Sequence, residues 1–130
     1  MTSVSPSDKA VVLIVEDEPF VRMMVFDLFA DEGFEVLEAE SADEALAIFS
    51  QRDDVSLLFT DVEMPGTLNG YALARWAFVH RPTVKTLIVS GRALPRAGDV
   101  PEGAFFVGKP FTHFDVMQRV QQLMGTSAAP

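Results

Sequence analysis

Cysteine is absent from this sequence of 130 residues, and basic residues are few. Without cysteine, the chain forms neither disulfides nor thiolate metal sites. Ten lysine and arginine residues stand against 19 aspartate and glutamate residues, which gives a net charge of −9. Because the chain offers no basic stripe, we expect no direct binding to nucleic acid and no attraction to anionic membrane surfaces.

Long apolar runs are missing as well. No stretch is long enough to cross a bilayer, and the start, MTSVSPSDK, lacks the apolar segment of a signal peptide. Together with the missing cysteines, this predicts a cytoplasmic protein. The hydrophobic fraction of 48% suits a folded core, and the length suits a single domain. We predict a flexible arm over residues 1–9, a domain over 10–124 and a flexible tail over 125–130.

Short apolar runs alternate with helical patterns along the chain. Strands are predicted at 11–15, 34–39, 55–60, 84–89 and 104–107. Helices are predicted from Pro19 to about Gly33, after a capping box of Ser41 and Glu44, over 71–80, and after a capping box of Thr112 and Asp115. This alternation predicts a three-layer α/β/α sandwich on a parallel sheet.

Two details of this pattern are open to a direct structural check. The apolar residues of the first helix predict its inward face, and they are Phe20, Met23, Met24, Phe26, Leu28 and Phe29. The methionines at 23, 24, 117 and 124 are interpreted as core packing. Between the fourth and fifth strands, Pro95, Gly98, Pro101 and Gly103 interrupt any regular helix. We therefore expect that helix to be short or distorted.

Polar residues follow the ends of the predicted strands. They are the acidic run 16–18 after the first strand, Asp61 after the third, Ser90 after the fourth and Lys109 after the fifth. Each one alone is ordinary for a turn, a helix start or a surface. However, ligands of open α/β sheets bind at the carboxyl ends of the strands. If the first and third strands are neighbours, Asp17 and Asp61 converge, so a cation must bridge them or one must be protonated. All-oxygen ligands suit Mg²⁺.

The motifs VLIVEDEP, LLFTDVEMPG, LIVSG and FFVGKPF, taken together, resemble the receiver domain of bacterial two-component response regulators. The resemblance runs from about Val11 to Met124. It implies a flavodoxin-like fold with a five-stranded parallel sheet of order 2-1-3-4-5. That order places the first and third strands side by side.

The resemblance also implies roles for the acidic residues. Asp61 matches the phospho-acceptor, and Asp17 matches a direct ligand of Mg²⁺ (or Mn²⁺). Glu16 matches the acid that acts on the metal mostly through water. Glu63 would offer its backbone carbonyl to the metal.

Further roles fall on the last two strands. Ser90 matches the switch hydroxyl, Phe106 the switch aromatic, and Lys109 the lysine that pairs with the phosphoryl group. Pro110 matches a proline that often follows this lysine through a cis bond.

A receiver of this kind accepts a phosphoryl group from a histidine kinase or a histidine phosphotransfer protein. It assists its own phosphorylation and dephosphorylation and is not a turnover enzyme. The sequence shows no DNA-binding or catalytic domain after the last helix, so we expect a stand-alone receiver. Its output is then expected to be contact with a downstream protein or a phosphate transfer.

Three features depart from the common receiver pattern. The loop after Asp61 is one residue longer, which is expected to alter the metal loop. Glu63 and Arg92 lie two residues past the acceptor and the switch serine, where we hypothesise that their opposite charges set the lifetime of the phosphoryl group. The interrupted segment 91–103 is expected to be mobile and to make the partner surface unusual.

Two other classes of function stay open. One is a receiver-like binding module that acts without phosphorylation, although such a module would not need the full set of acids, hydroxyl and lysine. The other is a phosphatase of the haloacid dehalogenase type. That class requires a second aspartate two residues after the nucleophile, where this chain has Glu63, and places its nucleophile on the first strand. His80 and His113 are interpreted as surface residues.

Overall fold

The computed structural model of the chain describes residues 9–92 and 94–125. Its elements are β1 (Val11–Val15), α1 (Pro19–Asp31), β2 (Glu35–Ala39), α2 (Ala42–Gln51), β3 (Leu57–Asp61), α3 (Gly70–His80), β4 (Lys85–Ser90), β5 (Phe105–Gly108) and α4 (His113–Met124). Apart from Lys9 and Gly125, the predicted arm and tail lie outside the described residues. None of the helices described is both long and apolar enough for a membrane span.

The five strands form one parallel sheet in the order β2-β1-β3-β4-β5. This confirms the order that the resemblance implied. Every residue of β1 and β3 is buried, whereas the edge strands β2 and β5 are only partly buried. The runs VVLIV and LLFTD are therefore apolar because helices cover both of their faces, not because one face alternates with solvent.

Helices cover the sheet on both sides, which confirms the three-layer arrangement. Alternate residues of β1 point to opposite faces, as the pleat of a strand requires. Val12 and Ile14 pack with buried residues of α1 and α4. Leu13 and Val15 pack with buried residues of α2 and α3.

The buried face of α1 differs from the prediction. Phe20, Met23 and Met24 are 76%, 55% and 60% exposed. Phe29 is buried as predicted, its ring meets Phe59 of the sheet edge-to-face, and Val25, which was not predicted, is buried beside it. The interpretation of Met23 and Met24 as core packing is thus wrong, while Met117 is buried as expected. The physical reason is that apolar residues surround most of this helix, so periodicity alone does not reveal which side meets the sheet.

The two predicted capping boxes have different outcomes. Thr112 Oγ1 accepts from the Asp115 N–H, and the Asp115 carboxylate accepts from the Thr112 N–H, so this box is confirmed. Ser41 caps α2 by accepting from the Glu44 N–H at 3.2 Å. The Glu44 carboxylate, however, accepts from the N–H of Glu40 at 2.7 Å. The predicted Ser41–Glu44 box is therefore confirmed for the Ser41 hydroxyl and wrong for the Glu44 carboxylate, which accepts from the N–H of Glu40 and not from that of Ser41.

The connection from β4 to β5 contains no helix among its described residues, 91–92 and 94–104. It instead forms hydrogen-bonded turns. The Asp99 N–H donates to the Arg96 carbonyl, the Arg96 N–H donates to the Asp99 carboxylate at 2.8 Å, and the Ala104 N–H donates to the Pro101 carbonyl. This part of the fold is therefore even less regular than the short or distorted helix that was predicted, since prolines there supply no N–H to a helical ladder.

Candidate functional site

Four polar side chains meet at the carboxyl edge of the sheet. The sheet's hydrogen bonding continues just past the strands and fixes this edge. The Glu16 N–H donates to the Ala39 carbonyl, the Val62 N–H to the Val89 carbonyl, and the Lys109 N–H to the Ser90 carbonyl. Glu16, Asp61, Ser90 and Lys109 are thus held at the ends of adjacent parallel strands, as the sequence predicted.

Lys109 connects the two buried acids of this edge. Its Nζ lies 3.2 Å from Glu16 Oε1 and 3.3 Å from Asp61 Oδ2. Glu16 and Asp61 are only 1% and 4% exposed. Their other oxygens accept from backbone amides, Glu16 Oε2 from the Glu18 N–H at 3.0 Å and Asp61 Oδ1 from the Val62 N–H at 2.8 Å. Each buried carboxylate is therefore oriented by an ammonium group and a backbone amide.

Burial dominates the titration of these acids. Burial raises the pKa of Asp61 above its ordinary value, and Lys109 offsets only part of that rise. Burial also raises the pKa of Glu16, which the Glu18 N–H and Lys109 lower in part. For Lys109, burial lowers the pKa, but the charges of Asp61 and Glu16 outweigh it, so the pKa lies above its ordinary value. A charged ammonium therefore faces carboxylates that a further cation would stabilise.

The donor atoms fit a hard divalent cation. Glu16, Asp17 and Asp61 each offer a carboxylate oxygen, and these oxygens all lie within 4.8 Å of one another. Asp17 is exposed to solvent, whereas the other two acids are buried. An acidic cluster on an open surface would not be desolvated in this way. Oxygen ligands with an open, solvated side suit Mg²⁺ or Mn²⁺, which keep several waters.

Ser90 faces Glu63 rather than Asp61. The buried Ser90 hydroxyl donates to the Glu63 carboxylate, with oxygens at 2.8 and 3.1 Å, and accepts from the Arg92 N–H at 3.1 Å. No ion pair joins Glu63 to Arg92 in the described part of the chain. The hypothesised pair of opposite charges is therefore not a direct contact, because the Ser90 hydroxyl takes the Glu63 carboxylate while Arg92 is exposed.

The remaining predicted site residues lie next to this group. Phe106 is partly buried and packs against Val62, Ala74 and Ile88, so it lies beside β4 just before Ser90. The Lys109–Pro110 peptide bond is cis, the isomer that was expected. The roles of Phe106 as a switch aromatic and of the Glu63 backbone carbonyl as a metal ligand stay predictions.

Gly70 belongs to the site and was missed by sequence reasoning. Its N–H donates to the Val62 carbonyl at 2.9 Å. A Cβ added at Gly70 would lie 2.0 Å from the backbone oxygen of Asp61. The first residue of α3 must therefore lack a side chain, so that the helix can pack against the backbone of Asp61. A glycine directly after the Asn69 cap, where better helix formers are usual, was the available signal.

The two histidines lie at the surface, as predicted. His80 is exposed, and its ring stacks on Trp76 with centroids 4.9 Å apart. His113 Nε2 lies 3.0 Å from the Glu32 carboxylate. Neither histidine belongs to a group of metal-ligating side chains among the described residues.

Comparison with known proteins agrees with this geometry. The family model described as "Response regulator receiver domain" matches residues 12–121. The chain is similar to the sensor kinase CckA of Brucella abortus, with 34% identity over 122 residues, covering 91% of this chain and 13% of the relative. It is also similar to the transcriptional regulatory protein CpxR of Klebsiella pneumoniae, with 30% identity over 117 residues. This match covers 89% of this chain and 50% of the relative. The chain thus spans half or less of these curated relatives.

One solved structure extends the comparison to three dimensions. The crystal structure of the receiver domain from the hybrid histidine kinase CckA superimposes with a TM-score of 0.75 at 33% identity. The match covers 88% of this chain and 99% of that domain. The described part of the chain therefore corresponds to a nearly complete domain of this kind.

Proposed function

Because the chain belongs to the response regulator receiver domain family, we propose that it accepts a phosphoryl group on Asp61 from a histidine kinase or a histidine phosphotransfer protein. The observation that carries the proposal is the pairing of the buried Asp61 carboxylate with Lys109 Nζ at 3.3 Å, inside a cluster of three acids. In this proposal the modified domain then signals by contact with a downstream protein.

The proposed reaction transfers one phosphoryl group between two side chains. An oxygen of Asp61 forms a bond to phosphorus while the phosphorus–nitrogen bond of the donor histidine breaks. The transition state of such transfers is loose, so positioning and charge stabilisation dominate catalysis. Lys109 supplies positive charge near the incoming oxygens. When bound by Glu16, Asp17, Asp61 and the Glu63 backbone carbonyl, Mg²⁺ (or Mn²⁺) would supply further positive charge there.

The proposed output is a shift between two conformations. An aspartyl phosphate adds a charge of roughly −1.5 to −2 if it resembles other phosphoryl groups. Ser90 would then donate its hydroxyl to the phosphoryl group, and Phe106 would turn inward. Such a change is a population shift in which the modification favours one packing over another. Glu63 and Arg92 stay candidates for tuning the phosphoryl lifetime.

The partner that delivers the phosphoryl group must reach the carboxyl edge of the sheet. Directly after the acidic run 16–18, α1 exposes the apolar side chains Phe20, Met23 and Met24. Exposed apolar groups that lie together are typical of protein-binding surfaces. This supports a kinase or phosphotransfer partner that docks on the start of α1, so that its histidine faces Asp61.

Three further statements belong to the same proposal. The domain is not a turnover enzyme, because the group that it modifies is its own Asp61. It does not bind nucleic acid directly, in keeping with the net charge of −9. It acts in the cytoplasm, where the kinase's phosphohistidine is available.

The proposal is tested by intact mass after incubation with acetyl phosphate and Mg²⁺. One added phosphoryl group is expected in the wild type and in the control variant Asp53→Asn, which changes an exposed aspartate. No addition is expected in Asp61→Asn or without Mg²⁺. A folded wild-type protein that gains no adduct from several donors would overturn the proposal in favour of an unphosphorylated binding module. Steady turnover of a phosphate ester would favour the phosphatase class.

A further inference from the structure

The Ser90 hydroxyl, which is proposed to donate to the phosphoryl group, is hydrogen-bonded to the Glu63 carboxylate. We infer that the Glu63 carboxylate is a latch: it holds the Ser90 hydroxyl in the unmodified protein and competes with the phosphoryl group for it. The inference rests on the proposed phosphorylation of Asp61. In this role Glu63 is a positioning residue that acts through Ser90.

The geometry leaves Ser90 little freedom. Its side chain is buried, with 2% of the residue exposed. Its hydroxyl has a single proton, which points to the Glu63 carboxylate at 2.8 Å, while its oxygen accepts from the Arg92 N–H. A hydrogen bond to a carboxylate is stronger than one between neutral groups. The proton that a phosphoryl oxygen on Asp61 would need is therefore already in use.

The charge of Glu63 also acts on Asp61 itself. After burial, which is the main cause, the negative charge of Glu63 contributes to the raised pKa of Asp61. The two carboxylates are thus close enough to repel each other. A phosphoryl group would bring more negative charge to Asp61, so it would both repel Glu63 and offer Ser90 a new acceptor. Phosphorylation consequently opens the latch.

The latch lowers the apparent affinity for a phosphoryl group. Only molecules in which Ser90 has left Glu63 are competent to bind the phosphoryl group fully. The apparent affinity equals the intrinsic affinity multiplied by the fraction of molecules in that competent state. Truncating the Glu63 side chain removes this reduction and leaves the Glu63 backbone carbonyl, the expected metal ligand, in the chain. The latch therefore predicts that variants of Glu63 bind a phosphoryl mimic more tightly than the wild type.

The experiment titrates beryllofluoride, a phosphoryl mimic, into the full chain with Mg²⁺ and measures the apparent Kd by calorimetry. We expect Glu63→Ala to lower the Kd about tenfold, and Glu63→Gln, which keeps an acceptor oxygen without its charge, about threefold. In a Ser90→Ala background both substitutions should lower the Kd by less, because only the repulsion between Glu63 and the mimic is then removed. Glu102→Gln, which removes an exposed negative charge in the β4–β5 connection, is the matched control and should bind like the wild type.

Two results would overturn the latch. One is an unchanged Kd in the Glu63 variants. The other is an equal gain in the presence and absence of the Ser90 hydroxyl, since that gain would come from charge on Asp61 alone. This comparison is a double-mutant cycle, which isolates the coupling of two side chains.

A second measurement needs neither metal nor mimic. If the latch holds Ser90, the Arg92 N–H that donates to Ser90 Oγ should exchange its hydrogen faster in metal-free Glu63→Ala than in the wild type. Unchanged exchange would refute the latch even if phosphorylation occurs. Wild-type protein that fails to bind the mimic would instead count against the proposed function, and the exchange measurement would still decide on the latch.

Discussion

Replacing Gly70 by alanine is expected to displace the backbone of Asp61 more than an added methyl group at any other glycine in the described part of the chain would. The new Cβ would lie 2.0 Å from the Asp61 oxygen, 2.8 Å from the Asp61 carbonyl carbon and 2.9 Å from Val62 Cα. Optimal contacts between carbon atoms are about 3.5–4.0 Å. Because all three atoms belong to the backbone, no side chain can rotate away, and α3 must move by more than about 1 Å relative to β3.

The cost of that movement follows from the contacts that it disturbs. Overpacking typically costs about 1–3 kcal/mol. Losing the hydrogen bond from the Gly70 N–H to the Val62 carbonyl costs about 1 kcal/mol more. The better helix propensity of alanine offsets this loss of stability by up to about 1 kcal/mol. We therefore expect Gly70→Ala to lower the free energy of unfolding by about 1–3 kcal/mol, and to slow acetyl phosphate labelling of Asp61 by up to about 100-fold if the carboxylate shifts by 1 Å.

Urea denaturation and timed intact-mass labelling measure the two effects on the same samples. Gly108→Ala is the matched control, because a Cβ there would meet its nearest atom, the Ser90 carbonyl oxygen, only at 4.0 Å. That variant should match the wild type in stability and in labelling rate. If Gly70→Ala were as stable as the wild type and labelled at the same rate, the argument from backbone contact would be refuted.

Three more predictions concern charge, docking and dynamics. Burial raises the pKa of Asp61, so the folded state binds a proton more readily than the unfolded state. At pH values above the ordinary aspartate pKa of about 3.9, the ionised Asp61 carboxylate therefore destabilises the folded state. Without Mg²⁺, Asp61→Asn should therefore be more stable than the wild type at pH 7, by a margin that shrinks towards pH 4 in urea denaturation; lower stability at pH 7 would contradict this. Met24→Glu should slow transfer from a cognate kinase at least several-fold but leave acetyl phosphate labelling unchanged, and equal slowing of both would contradict docking on α1. Amides 94–100 should exchange within seconds to minutes, unlike those of α3, since they lack a helical ladder; uniform protection would contradict this.

Much of the fold could be predicted because it depends on local patterns. The runs VVLIV and LLFTD indicated strands buried on both faces, and Thr112 with Asp115 indicated the start of α4. The strand order itself came from the resemblance to receivers. Once that order is known, the acids and the lysine must share an edge, because the carboxyl ends of parallel strands lie together. The contacts of Lys109 with both buried carboxylates agree with this prediction.

The sequence by itself therefore determined which residues end the strands and which chemical groups they carry. Only the tertiary structure decided which of these groups touch. Ser90 and Glu63 are 27 residues apart, and their hydrogen bond depends on the register of β3 and β4 and on the loop after Asp61. The contact of Gly70 with the Asp61 backbone depends on how α3 packs, and the exposure of Met23 and Met24 depends on how α1 is rotated. Periodicity and capping act over a few residues, whereas packing is decided by all the elements that share the core.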